Sequence, residues 1–303
     1  IALALSIAVA TAITLGAALA VAQDPGGTLK KIKDTGTIAI GYRESSIPFS
    51  YLDDKQQPIG YALDLCMKIV DAVKTELKMP NLKVALQPVT SSNRIPLLQN
   101  GTIDLECGST TNNAERQKQV AFTITHFLTA NRYVSKKASN IKAIDDLKGK
   151  TIVSTAGTTN IKQATDLNVA KNMGMNIIPA NGHPEAFQMV ETGRAVAFVM
   201  DDILLYTLVA SSRTPGDYVI SADATGLPEP YGIMLRKDDP AFKKVVDNAM
   251  IAIYKSGEIN KIYDKWFTQA VPPKGINYNV PMSPQFKNVI AHPTDSPDPA
   301  VYK

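Results

Sequence analysis

LKVALQPVTSSNRIPLLQNGTIDLECGSTTNNAERQ, residues 82–117, carries the pattern that decides the fold. Residues 82–87 alternate apolar and polar side chains, the period of a strand. Residues 94–100 read as a short helix stopped by Gly101, the residue that best tolerates a left-handed turn after a helix. Residues 103–107 read as a second strand. Each strand opens into a loop of short polar side chains. Thr90, Ser91, Ser92, Asn93 and Arg94 follow the first; Gly108, Ser109, Thr110, Thr111, Asn112 and Asn113, with Arg116 just beyond, follow the second.

The same alternation continues outward. Residues 37–42 (TIAIGY) are a short apolar strand, and 60–77 an amphipathic helix with Leu63, Cys66, Met67, Val70, Val73 and Leu77 on one stripe. A second set follows: a helical turn at 145–149, strand 151–154, helix 160–169, strand 176–179, and a helix opening at Pro184, where proline is tolerated. Residues 195–200 (AVAFVM) form a continuous apolar run, the mark of a strand buried on both faces. A strand at 231–236 and a helix at 240–254 come next. Residues 24–28 read as a Pro/Gly-rich linker, and 270–303 as a Pro-rich, mostly irregular surface tail. Strands alternating with helices predict an α/β fold with mostly parallel sheets flanked by helices. The chain has 303 residues, too many for one small sheet, so two α/β halves are expected.

Residues 1–22, IALALSIAVATAITLGAALAVA, carry no charge and end in an Ala20-x-Ala22 pattern before Gln23. This reads as a cleaved secretory signal peptide, so the mature chain is expected outside the cytoplasm. The rival reading is a membrane anchor, since about 20 apolar residues span a bilayer. The net charge of +4 comes from interspersed basic and acidic residues, and neither a basic block nor an aromatic platform for nucleic acid is present. The two cysteines, Cys66 and Cys107, are compatible with a disulfide in an oxidising compartment. The reading favoured here puts Cys66 unpaired on the apolar stripe of its helix.

In open α/β sheets ligands bind beyond the carboxyl ends of the strands, so the loops there carry the function. Besides the two loops quoted, TIAIGY leads to Arg43, the 151–154 strand to Thr158 and Thr159, the 176–179 strand to His183, and AVAFVM to Asp201. These are hydroxyls, arginines, a histidine and an aspartate. A guanidinium grips a carboxylate through two parallel N–H···O bonds. Three arginines against one aspartate leave an excess of two positive charges, which suits an amino acid with an acidic side chain better than a neutral one. Thr111, Asn112 or Asn113 is placed to cap a helix containing Arg116. Read singly, each arginine is an ordinary solvated loop residue, Asp201 a helix cap, and His183 a cap before Pro184. Their shared placement is the signal.

YRESSIPFSY (42–51), TSSNRIPLLQNGTIDLECGSTTNNAERQ (90–117) and GRAVAFVMDD (193–202) resemble the glutamate/aspartate periplasmic binding proteins of bacterial ABC importers. The DDLKGK, AGTT, YGIMLRKDDP and DKWF segments agree, and the likeness spans about 28–285. It implies a two-lobed periplasmic-binding-protein-like (type II) fold joined by a two-segment hinge. Lobe 1 is expected from 23–128 plus 228–303, lobe 2 from 129–227. By the same resemblance, Arg116 holds the ligand α-carboxylate, helped by Ser109, Thr111 and Thr159. Asp201 takes the α-ammonium, and Arg43, Ser91, Arg94 and His183 take the side-chain carboxylate. The implied partners are L-glutamate or L-aspartate and the permease subunits of an ABC transporter. A monomer in the periplasm without cofactor or metal is expected. Two departures stand out: the family's cysteine at the position of Ile233 is missing, so its disulfide does not carry over, and Pro184 follows His183 directly.

Two other classes compete. Exported cyclohexadienyl-dehydratase-like enzymes share the two-lobed fold and need an acid–base residue in the cleft, where Glu44, His183 and Asp201 are the titratable candidates. No G-x-S-x-G or H-E-x-x-H motif occurs, and the chain has only three histidines. Sensory domains of this kind are fused to further segments. Within the binding class, another polar amino acid such as glutamine is the alternative ligand.

Overall fold

The computed structural model describes residues 27–303. The expected signal peptide at 1–22 and the expected linker up to residue 26 lie outside the described residues. Residues 27 and 28, also assigned to the linker, open the helix Gly27–Thr35 instead. Among the described residues no helix is long and apolar enough to cross a membrane.

Two five-stranded sheets repeat one plan. In the first, strand Thr37–Tyr42 lies between the parallel strands Lys83–Pro88 and Leu105–Cys107; then come antiparallel Met234–Arg236 and the edge strand Val120–Phe122. In the second, Thr151–Thr155 lies between parallel Asn176–Ala180 and Ala197–Asp201; then come antiparallel Asn131–Lys136 and edge strand Tyr218–Ile220. In each sheet four of the five strands thus run the same way, and the strand order reverses beside Thr37–Tyr42 in the first and Thr151–Thr155 in the second. Such a switch point leaves a crevice beyond the carboxyl ends. Two short antiparallel strands, Phe127–Thr129 and Glu229–Tyr231, pair at the two places where the chain passes between the sheets. The expected single strand at 231–236 is therefore two elements, with Gly232 and Ile233 between them.

The helix Tyr61–Leu77 covers the first sheet because Leu65, Cys66, Ile69, Val70 and Val73 fall on one face and are fully buried. Met67 is not part of that face: it is 40% exposed, one helical step too far round. Cys66 does not stay unpaired as expected. Its helix packs on the strand Leu105–Cys107, the Cα atoms of Cys66 and Cys107 are 6.3 Å apart, and the two form a disulfide. That separation lies within disulfide reach. Sequence spacing alone does not bring a helix face and a strand end together.

The tail also departs from expectation. It contains the helix Pro284–Ala291, capped by the Ser283 hydroxyl, and a 3-10 turn at Pro299–Tyr302. Phe286, Val289 and Tyr302 are buried, and the Tyr302 hydroxyl lies 2.9 Å from that of Thr125. Three well-spaced apolar residues bury a segment in which two of the prolines, Pro284 and Pro299, sit at helix N-termini, where they are compatible with a helix.

An aromatic cluster surrounds His126. Its ring lies 5.8 Å from that of Tyr61, 6.3 Å from Tyr231 and 6.4 Å from Phe49. The residue is fully buried, and neither ring nitrogen has a hydrogen-bond partner among the described residues. Burial pulls the imidazole down to about 3.

Two predictions follow from this packing. A bridge across 41 residues removes chain entropy worth about 4 kcal/mol, so reduction should lower the urea midpoint markedly. An unchanged midpoint in reductant would disprove a stabilising role. The unfolded chain protonates His126 near pH 6.5, whereas the folded chain does so only near 3. Between those values the unfolded state binds the extra proton, and stability falls by about 1.4 kcal/mol per pH unit on acidification. His126→Phe should therefore lose less stability than the parent between pH 6.5 and 4.5. Parallel acid limbs for the two proteins would refute it.

Candidate functional site

The crevice is built from strand ends of both sheets. Arg43 follows Tyr42; Ser91 and Arg94 follow Pro88; Ser109, Thr111 and Arg116 follow Cys107. From the second sheet come Thr159 beyond Thr155, His183 beyond Ala180, and Asp201 at its own strand end. These nine residues, each singled out by position in the sequence, line one cavity of about 210 Å³.

All three guanidiniums are buried, and each is held by a different device. The Arg43 backbone N–H donates to Ser50 Oγ (2.8 Å), and its Nη2 donates to Ser91 Oγ (2.9 Å). Arg94 opens its helix and donates through Nη1 to the Thr110 hydroxyl. That hydroxyl donates in turn to Glu106 (2.6 Å), whose other oxygen lies 3.9 Å from Arg94 Nη1. The Arg116 backbone N–H is capped by Asn113 Oδ1 (2.9 Å), and its Nη1 donates to the Thr111 carbonyl (2.8 Å). Its Nη2 reaches across to the Gly157 carbonyl at 3.3 Å. The tail buttresses this loop: the Asp295 carbonyl accepts from Asn112 (2.8 Å) and Gln117 (3.0 Å).

Burial is the main cause of the shifts. It lowers Arg43 to about 9, with Arg94 beside it adding to the effect, and Arg116 to about 10. Arg94 is lowered too, against the pull of Glu106. All three stay cationic at neutral pH. His183 is the first residue of the helix His183–Glu191, whose cap is Gly182, so it is not the cap that Pro184 suggested. Its Nδ1 lies 2.9 Å from Thr155 Oγ1. Its basicity is driven far down by burial and by Arg43 and Arg94, so it is neutral. Arg43 Nη1, Ser109 Oγ and His183 Nε2 are buried without a partner among the described residues, and all three belong to cavity-lining residues. Buried polar atoms without a partner are uncommon, so these three are free to bond a group that enters the cavity.

Asp201 stands at the start of the helix Asp202–Ser211, yet its side chain makes no capping bond. It accepts instead from Asn160 Nδ2 (2.8 Å) and from the Tyr231 hydroxyl. Burial, then Glu229, push its carboxyl up to about 7.

Glu106 and Glu229 were missed in the sequence. Both are buried behind the arginines. Glu106 left one sign, a charged residue between Leu105 and Cys107 in a buried strand; Glu229 in LPEPY left none. They correct the charge count. Against three arginines stand three acidic side chains, Asp201, Glu106 and Glu229, so the expected excess of two positive charges is absent. Among the described residues no group of three or more His, Cys, Asp or Glu is arranged to hold a metal.

Gly157 marks where the two sides meet. Its φ is +76°, and a Cβ there would lie 2.7 Å from the Ser91 carbonyl carbon and oxygen. Only glycine permits both that dihedral and that approach.

Residues 38–269 match the family model of bacterial extracellular solute-binding proteins, family 3. An L-glutamate/L-aspartate-binding protein of Pseudomonas aeruginosa is 58% identical over 276 residues, covering 91% of each chain. A glutamate/aspartate import solute-binding protein of Escherichia coli K12 is 48% identical over 288 residues, covering 94% of this chain and 95% of that one. Among solved structures, an ancestral arginine-binding protein bound to arginine superposes with a TM-score of 0.68 at 31% identity, over 77% of this chain and 98% of that one. An ancestral amino-acid-binding protein, described as a precursor of cyclohexadienyl dehydratase, gives 0.67 at 30% identity, over 79% and 99%. A two-sheet α/β fold with its polar crevice at the switch points, matched over most of its length, places this chain in the bacterial extracellular solute-binding proteins, family 3.

Proposed function

We propose that this protein captures L-glutamate or L-aspartate outside the cytoplasm by closing two lobes, 23–128 plus 228–303 and 129–227, and delivers it to ABC transporter permease subunits. The observation that carries this reading is the convergence of nine polar residues from both sheets on one small cavity. The relatives' glutamate/aspartate names, at 48 and 58% identity, point the same way. The periplasm is the matching compartment, the protein is a monomer there, and it binds rather than transforms its ligand.

In this assignment Arg116 grips the α-carboxylate from the end where Thr111, Thr159 and Asp201 gather, and Asp201 receives the α-ammonium. Arg43, Ser91, Arg94 and His183 form the other end and take the side-chain carboxylate. Neutral His183 serves as an Nε2–H donor, the tautomer in which the Thr155 hydroxyl donates to Nδ1. Selectivity rests little on excess positive charge, since Glu106, Glu229 and the partly protonated Asp201 offset most of the three guanidinium charges. It rests on position: the donors at the Arg43 end are left without acceptors unless the ligand supplies a carboxylate there. A buried unmet hydrogen-bonding group costs about 1–3 kcal/mol, more when charged.

Arg116→Ala should weaken glutamate, aspartate and glutamine alike by a hundredfold or more, roughly the 3–5 kcal/mol of a broken buried pair. Arg94→Ala should weaken glutamate much more than glutamine. Calorimetry across these ligands checks both, and undiminished affinity in Arg116→Ala would defeat the site assignment. A second expectation concerns protons. Asp201 holds its proton up to about pH 7 in the free protein, and an ammonium beside it favours the charged carboxylate. Binding near pH 6 should release up to one proton, and affinity should fall as pH drops below 7. Enthalpies compared in buffers of different ionisation heat read the release. It should vanish in Asp201→Asn, and buffer-independent heats in the parent would contradict it.

A further inference from the structure

Glu229 lies outside the set of residues assigned to the ligand, yet it contacts both sides of the crevice. Its Oε2 accepts from the Thr111 hydroxyl at 2.8 Å and the Thr159 hydroxyl at 3.0 Å. Its Oε1 accepts from Gln163 Nε2. Thr111 follows a strand of the first sheet, and Thr159 and Gln163 sit on a helix over the second. The network extends further: Asn131 Nδ2 donates to Gln163 Oε1 (2.7 Å), and Asn160 Nδ2 reaches both Asn131 Oδ1 (2.9 Å) and Asp201 Oδ1 (2.8 Å).

A hydroxyl has one proton and two lone pairs, and a carboxylate only accepts. A threonine that gives its proton to Glu229 therefore has only lone pairs left for the cavity. Thr111 and Thr159 both line that cavity and both donate to the same carboxylate oxygen. Neither hydroxyl can donate to a ligand carboxylate while the contact persists. Both can accept from a cation.

We propose that Glu229 is a positioning residue that fixes the hydrogen-bond polarity of Thr111 and Thr159, turning both hydroxyls into acceptors for the ligand ammonium and tying the two sides of the crevice together. This rests on the assignment of an α-amino acid to the cavity. It also revises one part of it: the Thr111 and Thr159 hydroxyls, expected to assist the α-carboxylate, serve the ammonium. Arg116 then meets the α-carboxylate without them. Glu229 also lies close enough to Arg116 to support its positive charge.

The test compares glutamate with glutarate, which keeps both carboxylates and lacks the ammonium. The parent protein should prefer glutamate strongly. Glu229→Gln keeps the shape but offers an amide that donates as well as accepts. It should shrink the glutamate-to-glutarate affinity ratio about tenfold, the scale of one charge-assisted bond. A merely structural role would weaken both ligands equally and leave the ratio unchanged, which would overturn the proposal. Loss of a nearby negative charge also lowers the ratio, so Thr159→Val and the double variant complete a cycle. Fixed hydroxyl polarity requires the two changes to be non-additive, and additive effects would overturn it. Failure of the parent to bind glutamate would remove the ligand assignment and this inference together. Binding with an unaltered ratio in Glu229→Gln would remove the inference alone.

Discussion

Arg43, Arg94 and Arg116 are buried side by side, at 4, 2 and 8% exposure, and Arg43 and Arg116 are each made less basic by the presence of Arg94. Removing a charge from water is among the least favourable steps in folding, and placing like charges together adds to it. Much of the surrounding structure answers that constraint. Glu106 and Thr110 hold Arg94; Ser91 holds Arg43; the Thr111 and Gly157 carbonyls hold Arg116. Strand ends, a tail carbonyl and a disulfide then fix the loops that carry these partners. Partners already in place for each guanidinium leave fewer side-chain rotamers to be ordered on binding, which lowers its cost.

Charge balance gives the site a different character from the one suggested by arginines alone. Three guanidiniums open to solvent would attract any anion. Backed by Glu106 and Glu229, the same three become directional donors with little surplus charge. The partial protonation of Asp201 belongs to the same balance, because burial and Glu229 disfavour a further negative charge beside them. On the proposed assignment, binding is an exchange of a proton for an ammonium at Asp201, with the ligand's own carboxylates matched elsewhere.

The loop residues were legible in the sequence because a strand in a doubly wound sheet ends at a place decided by topology. Runs such as TIAIGY and AVAFVM announce those ends, and the polar residues just beyond them fall into the crevice whatever the helices between them do. What was not legible depends on contacts between distant segments. Cys66 and Cys107 each looked apolar in local context, and only helix-on-sheet packing brings them together. Met67 fitted the stripe by spacing but sits one step off the buried face. Glu229 lies in a short crossing strand with no periodicity to read, and its role arises from three partners 66 to 118 residues away. The tail was misjudged because prolines dominate its composition while a few buried aromatic and aliphatic side chains dominate its energetics.

Gly157 brings backbone against backbone, its Cα facing the Ser91 carbonyl. Side chains yield by changing rotamer, but two main chains do not. The crevice therefore has an end-stop, a fixed gauge beyond which the two sides cannot approach. On the proposed assignment, a ligand too short to span the arginines at that gauge leaves donors unmet, and one too long keeps the main chains apart. Length, and not only charge, would then be measured by a residue that has no side chain at all.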